Sequence, residues 1–197
     1  MKQDKETSLS GFPEIKEEEA EKSQAQLDYE QGMSFLNDKE ETQAAAAFHN
    51  AIVGFEQDKD EKGIANAAVR LADICFKKHD FVKAMNFCGR AYDICSAGDD
   101  TFSLICIKET QAKIYSQWGK YKEAVRLYIE LVADYNDTRN PQGAVNSLET
   151  LAELYLKGKE KDKAADCYKT IASIHKSFKH VTYYGRYLKK AESLLKE

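Results

Sequence analysis

Apolar residues along this chain recur every three to four positions, in runs separated by short polar breaks. Between 81 and 97 they are Phe81, Ala84, Met85, Cys88, Ala91, Tyr92 and Cys95. Between 121 and 136 they are Tyr121, Ala124, Val125, Tyr128, Leu131 and Val132. Recurrence at i, i+3, i+4 and i+7 puts such residues on one stripe of an α-helix. The pattern predicts helices over 22–38, 41–57, 61–78, 81–97, 101–118, 121–136, 142–158 and 161–178. The breaks carry turn chemistry: Asp38-Lys39-Glu40, Asp58-Lys59-Asp60, Lys78-His79-Asp80, Gly98-Asp99-Asp100, Gly119-Lys120, Asn140-Pro141 and Gly158-Lys159. Asn140 suits the cap of the seventh helix, with Pro141 in its first turn. No stretch alternates with period two, so no strand is predicted.

A longer period runs over the first. An alanine returns every forty residues, at Ala44, Ala84, Ala124 and Ala164. Twelve places upstream the residue is small: Gly32, Ala72, Ala112, Ala152. Nine upstream stand Phe35, Cys75, Tyr115 and Tyr155; four downstream stand Phe48, Cys88, Tyr128 and Tyr168. Seven downstream stand Ala51, Ala91, Leu131 and Ile171. Units of this length stack, because none can bury its own apolar face. The small residues belong where the two helices of a unit cross, and the aromatics fill the space towards the next unit. The units span about 25–64, 65–104, 105–144 and 145–180. After 180 the chain reads as half a unit, a capping helix within 181–197. Its stripe is Tyr184, Tyr187, Leu188, Ala191 and Leu195. Residues 1–21 hold few large apolar side chains (Leu9, Phe12, Ile15) and are expected to be an acidic, disordered leader.

The units resemble the tetratricopeptide repeat. Repeat 2, LADICFKKHDFVKAMNFCGRA, carries Asp80-Phe81 at the family's Asp-Tyr turn. Repeat 3, QAKIYSQWGKYKEAVRLYIEL, has Gly119 and Tyr121 in place. Repeat 4, LAELYLKGKEKDKAADCYKTI, lacks the turn aromatic, and repeat 1, QGMSFLNDKEETQAAAAFHNA, is weakest in the turn. The period is 40, against about 34 in the common repeat; this resembles the longer-repeat branch found in adaptors and scaffolds. The resemblance implies an all-α, right-handed superhelical stack of four helix pairs with a C-terminal cap. It also implies a non-enzymatic module that binds a peptide or helical segment of a partner. In the family the first (A) helix of each pair lines the concave groove. That register assigns Tyr29, Met33 and Leu36 from repeat 1, and Asn66, Arg70, Asp73 and Lys77 from repeat 2. Repeat 3 adds Cys106, Thr110, Lys113 and Gln117, and repeat 4 adds Asn146, Thr150, Glu153 and Lys157. One subfamily clamps a chaperone's terminal carboxylates with Lys, Asn and Arg at fixed positions. Those positions here are Tyr29, Met33, Arg70, Cys106 and Thr110, so that adaptor role is not implied.

Composition narrows the partners. The net charge is −4, too mildly acidic for a general nucleic-acid binder. No apolar run approaches the roughly 18–20 residues of a membrane span. The opening MKQDKETSLS has no hydrophobic region and is not expected to be a secretory signal. Five cysteines, at 75, 88, 95, 106 and 167, form no C-x-x-C and have no histidine at metal-ligand spacing. They read as small core residues in a reducing cytoplasm, with no metal or cofactor. No phosphate loop, nucleophile elbow or His-Glu-x-x-His occurs, and no catalytic residue is assigned. His49, His79, His175 and His180 are scattered, while Glu17-Glu18-Glu19 and Glu40-Glu41 read as solvated charge.

Charge is uneven. Residues 1–24 carry four Lys against seven Asp/Glu, net −3; residues 176–197 carry six Lys/Arg against two Glu, net +4. The basic end centres on Arg186, Lys189 and Lys190. It permits head-to-tail contact between copies, docking of an acidic partner, or simple solvation of the cap. Two rival functions follow: a peptide-sensing regulator, and a self-assembling structural scaffold.

Overall fold

Nine α-helices make up residues 22–196, the part of the chain that the computed structural model describes. They are α1 (Gln24–Asn37), α2 (Glu41–Asp58), α3 (Glu61–Lys77), α4 (Phe81–Ala97), α5 (Thr101–Trp118), α6 (Tyr121–Asp137), α7 (Pro141–Lys157), α8 (Lys161–Ser177) and α9 (Val181–Lys196). Each bound predicted for α1–α8 lies within two residues of the observed one. There is no strand among the described residues. The acidic leader expected over 1–21 lies outside them. Each helix packs on the next in chain order, and α3 also touches α5. The A helices are α1, α3, α5 and α7; their B partners are α2, α4, α6 and α8.

The turns repeat twice as often as the sequence pattern. Lys39, Lys59, His79, Asp99, Gly119, Arg139, Lys159 and Lys179 all take left-handed backbone, φ between 53° and 77°. The next amide then reaches back to the carbonyl five residues earlier. Glu40 N–H meets the Phe35 carbonyl at 2.8 Å, Asn140 meets Tyr135 at 2.8 Å, and His180 meets His175 at 2.9 Å. This is the Schellman closure, which satisfies carbonyls left open at a helix end. Glycine supplies the conformation once, at Gly119. The other seven residues carry side chains there, at a cost of roughly 1–2 kcal/mol each. Gly98 and Gly158 fall one place early, with φ of −94° and −77°.

Capping favours the A helices. Ser23, Asp60, Asp100 and Asn140 accept from the amides of Gln26, Gly63, Ser103 and Gly143. Among the B helices Asp80 caps α4, while α2, α6 and α8 have no side-chain cap. Each such bond is worth about 1 kcal/mol.

The crossings are as the small residues require. Ala44, Ala84, Ala124 and Ala164 are all 0 % exposed, as are Ala72, Ala112 and Ala152. A Cβ added at Gly32 would lie 2.8 Å from the Phe48 ring, so that crossing admits only glycine without a shift. Phe48, Tyr128, Tyr155 and Tyr168 are buried, while Phe35 and Tyr115 are half-buried. Burying one such side chain contributes roughly 1.5–3 kcal/mol.

The core divides in two along α5. Ile107 and Ile114 join the apolar cluster of α1–α4, whereas Ile105 and Ala112 join that of α6–α9. Rings crossing from one repeat to the next sit over glycine. A Cβ at Gly63 would come within 2.6 Å of Phe55, and one at Gly143 within 2.5 Å of Tyr135. Where the ring is replaced by Cys95, the facing residue is Ser103 instead.

Two readings need correction. Cysteine is not uniformly a core residue here. Cys88, Cys95 and Cys167 are buried, but Cys75 is half-buried and Cys106 is exposed. Cys75 borders an open cleft between repeats 1 and 2, and Cys106 borders another between α3 and α5. Burial pushes the thiol of Cys88 up to about 12 and that of Cys167 to about 11. The α9 stripe also ends differently. Tyr187 and Ala191 are buried, but Leu195 is 49 % exposed and Leu194 packs against the core in its place.

Candidate functional site

Three neighbouring clefts that share lining residues lie along α3 and together outline a trough from α1 to α5. Between α1 and α3 lies a cleft of about 220 Å³ bordered by Gln26, Tyr29, Phe55, Lys62 and Asn66. The next, about 250 Å³, is bordered by Lys62, Ala65, Asn66, Cys95 and Ser103. A third, about 290 Å³, runs from Asn66, Val69 and Arg70 to Phe102, Cys106 and Thr110. Asn66 borders all three. It is exposed, so its amide offers both donor and acceptor to whatever lies along the trough.

The residues that form this trough follow from the helical period. Asn66, Val69 and Arg70 stand three and four apart on α3, hence on one face; Phe102, Cys106 and Thr110 do the same on α5. The Tyr29 ring packs edge-on against Phe48 with centroids 5.4 Å apart, so it forms a rigid wall. Met33 and Leu36 are likewise half-buried against the core. The Thr110 hydroxyl donates to the Cys106 carbonyl at 3.1 Å.

Beside the trough, charge collects. Half-buried Asp73 feels the cations of Arg70, Lys77 and Lys113. Burial nevertheless raises its pKa above the usual carboxylate range, and the three cations only oppose that shift. Three positive groups thus face the carboxylates of Asp73 and Glu41, which leaves room for a further anionic side chain. Lys77 also lies 3.8 Å from Glu41.

The remaining assigned residues do not converge on the trough. Gln117, Asn146, Glu153 and Lys157 are exposed and Thr150 is half-buried. Asn146 accepts from Gln142 at 2.8 Å, and Thr150 donates to the Asn146 carbonyl at 3.2 Å. At the basic end Arg186 and Lys189 are exposed. Lys190 is half-buried, its ammonium 5.1 Å from the Tyr168 ring and 5.2 Å from that of Tyr187. It is therefore partly engaged within the cap rather than wholly presented to solvent.

Sequence reasoning missed Phe102, which is 78 % exposed at the trough's edge. The signal was there: equivalent positions hold Lys62, Gln142 and Thr182, all polar. An exposed aromatic at a polar register position is an anomaly that packing does not explain.

Among the described residues no group of three His, Cys, Asp or Glu could hold a metal ion. No helix of the described residues is long and apolar enough to cross a membrane.

No protein-family model matches the chain, and no curated protein matches it in sequence. Solved structures do match in shape. The apo form of RapI superposes with a TM-score of 0.74 at 16% identity, covering 87% of this chain and 49% of that one. This chain thus spans about half the length of RapI. A putative kinesin light chain of nearly identical TPR-like repeats from Podospora anserina gives 0.65 at 15% identity, covering 86% and 90%. The Rap conjugation gene regulator of plasmid pLS20, solved with the Phr* peptide, gives 0.61 at 11% identity, covering 86% and 51%. The fold is of the tetratricopeptide-repeat type, an all-α stack of helix pairs.

Proposed function

We propose that this protein is a non-enzymatic peptide-binding module whose site is the trough across α1, α3 and α5. One observation carries the reading: Asn66 borders three successive clefts, the last of which has an exposed aromatic, Phe102, at its edge and a cationic cluster beside it. Phe102 and Val69 would hold an apolar side chain of an extended or helical segment. Arg70 and Lys113 would hold an acidic one a turn away. Tyr29, Met33 and Asn66 would wall the upstream end. Thr150, Asn146 and Glu153 on α7 come into use only for a ligand long enough to continue past α5. Five free cysteines suit work in the cytoplasm, as an adaptor or scaffold component.

A peptide display library panned on the protein tests this. Enriched sequences are expected to pair an aromatic or aliphatic residue with Asp or Glu, and to be lost on Phe102→Ala and Arg70→Glu. Equal enrichment on those variants would sink the site assignment.

A second reading has a specific support, the peptide complex of the plasmid regulator. Under it the bound peptide alters the curvature of the stack, as a signal rather than a tether. Small-angle scattering with and without an enriched peptide separates the two: a sensor changes its radius of gyration and an adaptor does not.

A further inference from the structure

The side of the stack that carries the A–B turns is sealed differently at each junction between repeats. At the junction of repeats 2 and 3, Phe81 stacks on Trp118 with centroids 5.9 Å apart, and Trp118 stacks on Tyr115 at 6.3 Å. At the junction of repeats 3 and 4, Tyr121 covers Gly158 and donates to Glu160. Junction 1/2 has none of these rings. In the register of Phe81 and Tyr121 it has Glu41; in that of Met85 and Val125, Ala45; in that of Tyr115 and Tyr155, Cys75; and in that of Trp118, Lys78. Three positions filled at both other junctions, and a fourth filled by Trp118 at one of them, are short or charged here. The result is an open cleft of about 630 Å³.

Its floor is apolar and buried: Leu71 is 1 % exposed and Ile74 is 2 % exposed. One wall is the pair His49 and Phe87, rings 5.7 Å apart and edge to face. Half-buried Cys75 and exposed Lys78 and Lys83 complete the lining with Ala45 and Asn86. Asp80 is the acidic residue of the lining, and Lys83 already pairs with it at 3.0 Å. The Lys78 charge is therefore left in excess. The volume falls within the roughly 300–1,000 Å³ of small-ligand pockets.

We propose that this cleft binds an aromatic side chain of a partner that carries a carboxylate beside the ring. The ring occupies the volume that Tyr115 and Trp118 fill one repeat later, and the carboxylate meets Lys78. The site lies on the turn side of repeats 1 and 2 and does not depend on the trough.

N-acetyl-phenylalaninate is the probe, with N-acetyl-phenylalaninamide as its uncharged control. Maleimide labelling mapped by mass spectrometry reads Cys75, and exposed Cys106 serves as the internal reference. A ligand of this size is expected to bind with a dissociation constant of about 1 mM. At about 5 mM it should slow Cys75 labelling roughly sixfold by mass action, leaving Cys106 unchanged. The amide and the Lys78→Glu variant should each lose most of that protection. Cys75→Tyr should fill the cleft, abolish saturation-transfer NMR signals from the probe and leave the melting temperature unchanged or higher. Should Cys75→Tyr fail to fold, Lys78→Glu on the exposed turn decides the matter. No protection of Cys75, equal protection by acid and amide, or normal probe binding to Cys75→Tyr each overturns the proposal.

Discussion

The two halves of the core solve one packing problem with different side chains. The α1–α4 cluster uses Phe48, Phe55, Cys88 and Cys95. At the same register positions the α6–α9 cluster uses Tyr128, Tyr135 and Tyr168. One of the added hydroxyls links elements: Tyr135 donates to Glu109 at 2.6 Å. Two further tyrosines of this half do the same, Tyr187 of α9 donating to Glu149 of α7 and Tyr121 to Glu160. The first half links its repeats through exposed ion pairs such as Arg90 with Glu56, a type worth about 0–1 kcal/mol. Volume alone fixes how closely repeats approach. A directional bond from a buried ring also fixes their rotation. The second half is thus the one held by directional bonds, and the proposed partner-facing clefts lie in the first half and on α5.

The strongest way to break this comparison is to hollow out each half. Phe48→Ala and Tyr128→Ala should each cost about 3–5 kcal/mol in chemical denaturation. Hydrogen exchange on Phe48→Ala should show α1–α4 opening while α6–α9 stay protected. Uniform loss of protection would mean that the two clusters unfold as one. Next comes the ring-over-glycine contact. Gly63→Ala and Gly143→Ala should each destabilise by about 1–3 kcal/mol through overpacking. Adding Tyr135→Leu to Gly143→Ala should recover part of that loss; simple additivity would show that the ring is not what the new methyl meets.

The hydroxyls give a smaller effect with a pH signature. Burial, then the bond to Glu149, pushes the Tyr187 phenol up to about 12 from an ordinary 10. Burial and Glu160 do the same for Tyr121. A phenol whose folded-state pKa is raised contributes stability that is complete below pH 10 and is lost as pH climbs towards 12. Tyr187→Phe should cost about 1 kcal/mol at neutral pH and flatten that alkaline decline, read from urea midpoints across the window. An unchanged decline would place its origin elsewhere. Smallest, and opposite in sign, is Arg139→Gly. It should stabilise by about 1 kcal/mol by relieving a left-handed side-chain residue, seen as a higher melting temperature.

Much of this was legible from residue types alone. The apolar stripes located the helices, and the small residues at 32, 44, 72, 84, 112, 124, 152 and 164 marked the crossings, because both depend on spacing. The breaks were placed by their turn residues, but the left-handed closure they share was hidden. Its geometry lives in the backbone, and Lys39, Lys59 and His79 do not advertise a left-handed φ as glycine would. Cys75 was misplaced for a related reason: the register fixed where it sits on its helix, but not whether a neighbour covers it, whereas Cys106 lies on the cleft to which the register assigned it. The trough residues were half visible. Asn66, Arg70 and Thr110 do converge, whereas the α7 set does not join them, since convergence depends on side-chain reach between helices.

The division of the core along α5 has a mechanical consequence. A single helix carries both clusters on opposite faces, so load passing along the stack crosses from one to the other through α5 alone. Among the described residues, the contacts of α3 with α5 add a second route into that same helix. Stretched between its ends in an optical trap, the stack should behave as two springs in series. It should yield first on the side without tyrosine bonds, in increments set by one helix and one turn. A single rip of full length would show that the two springs are in fact one.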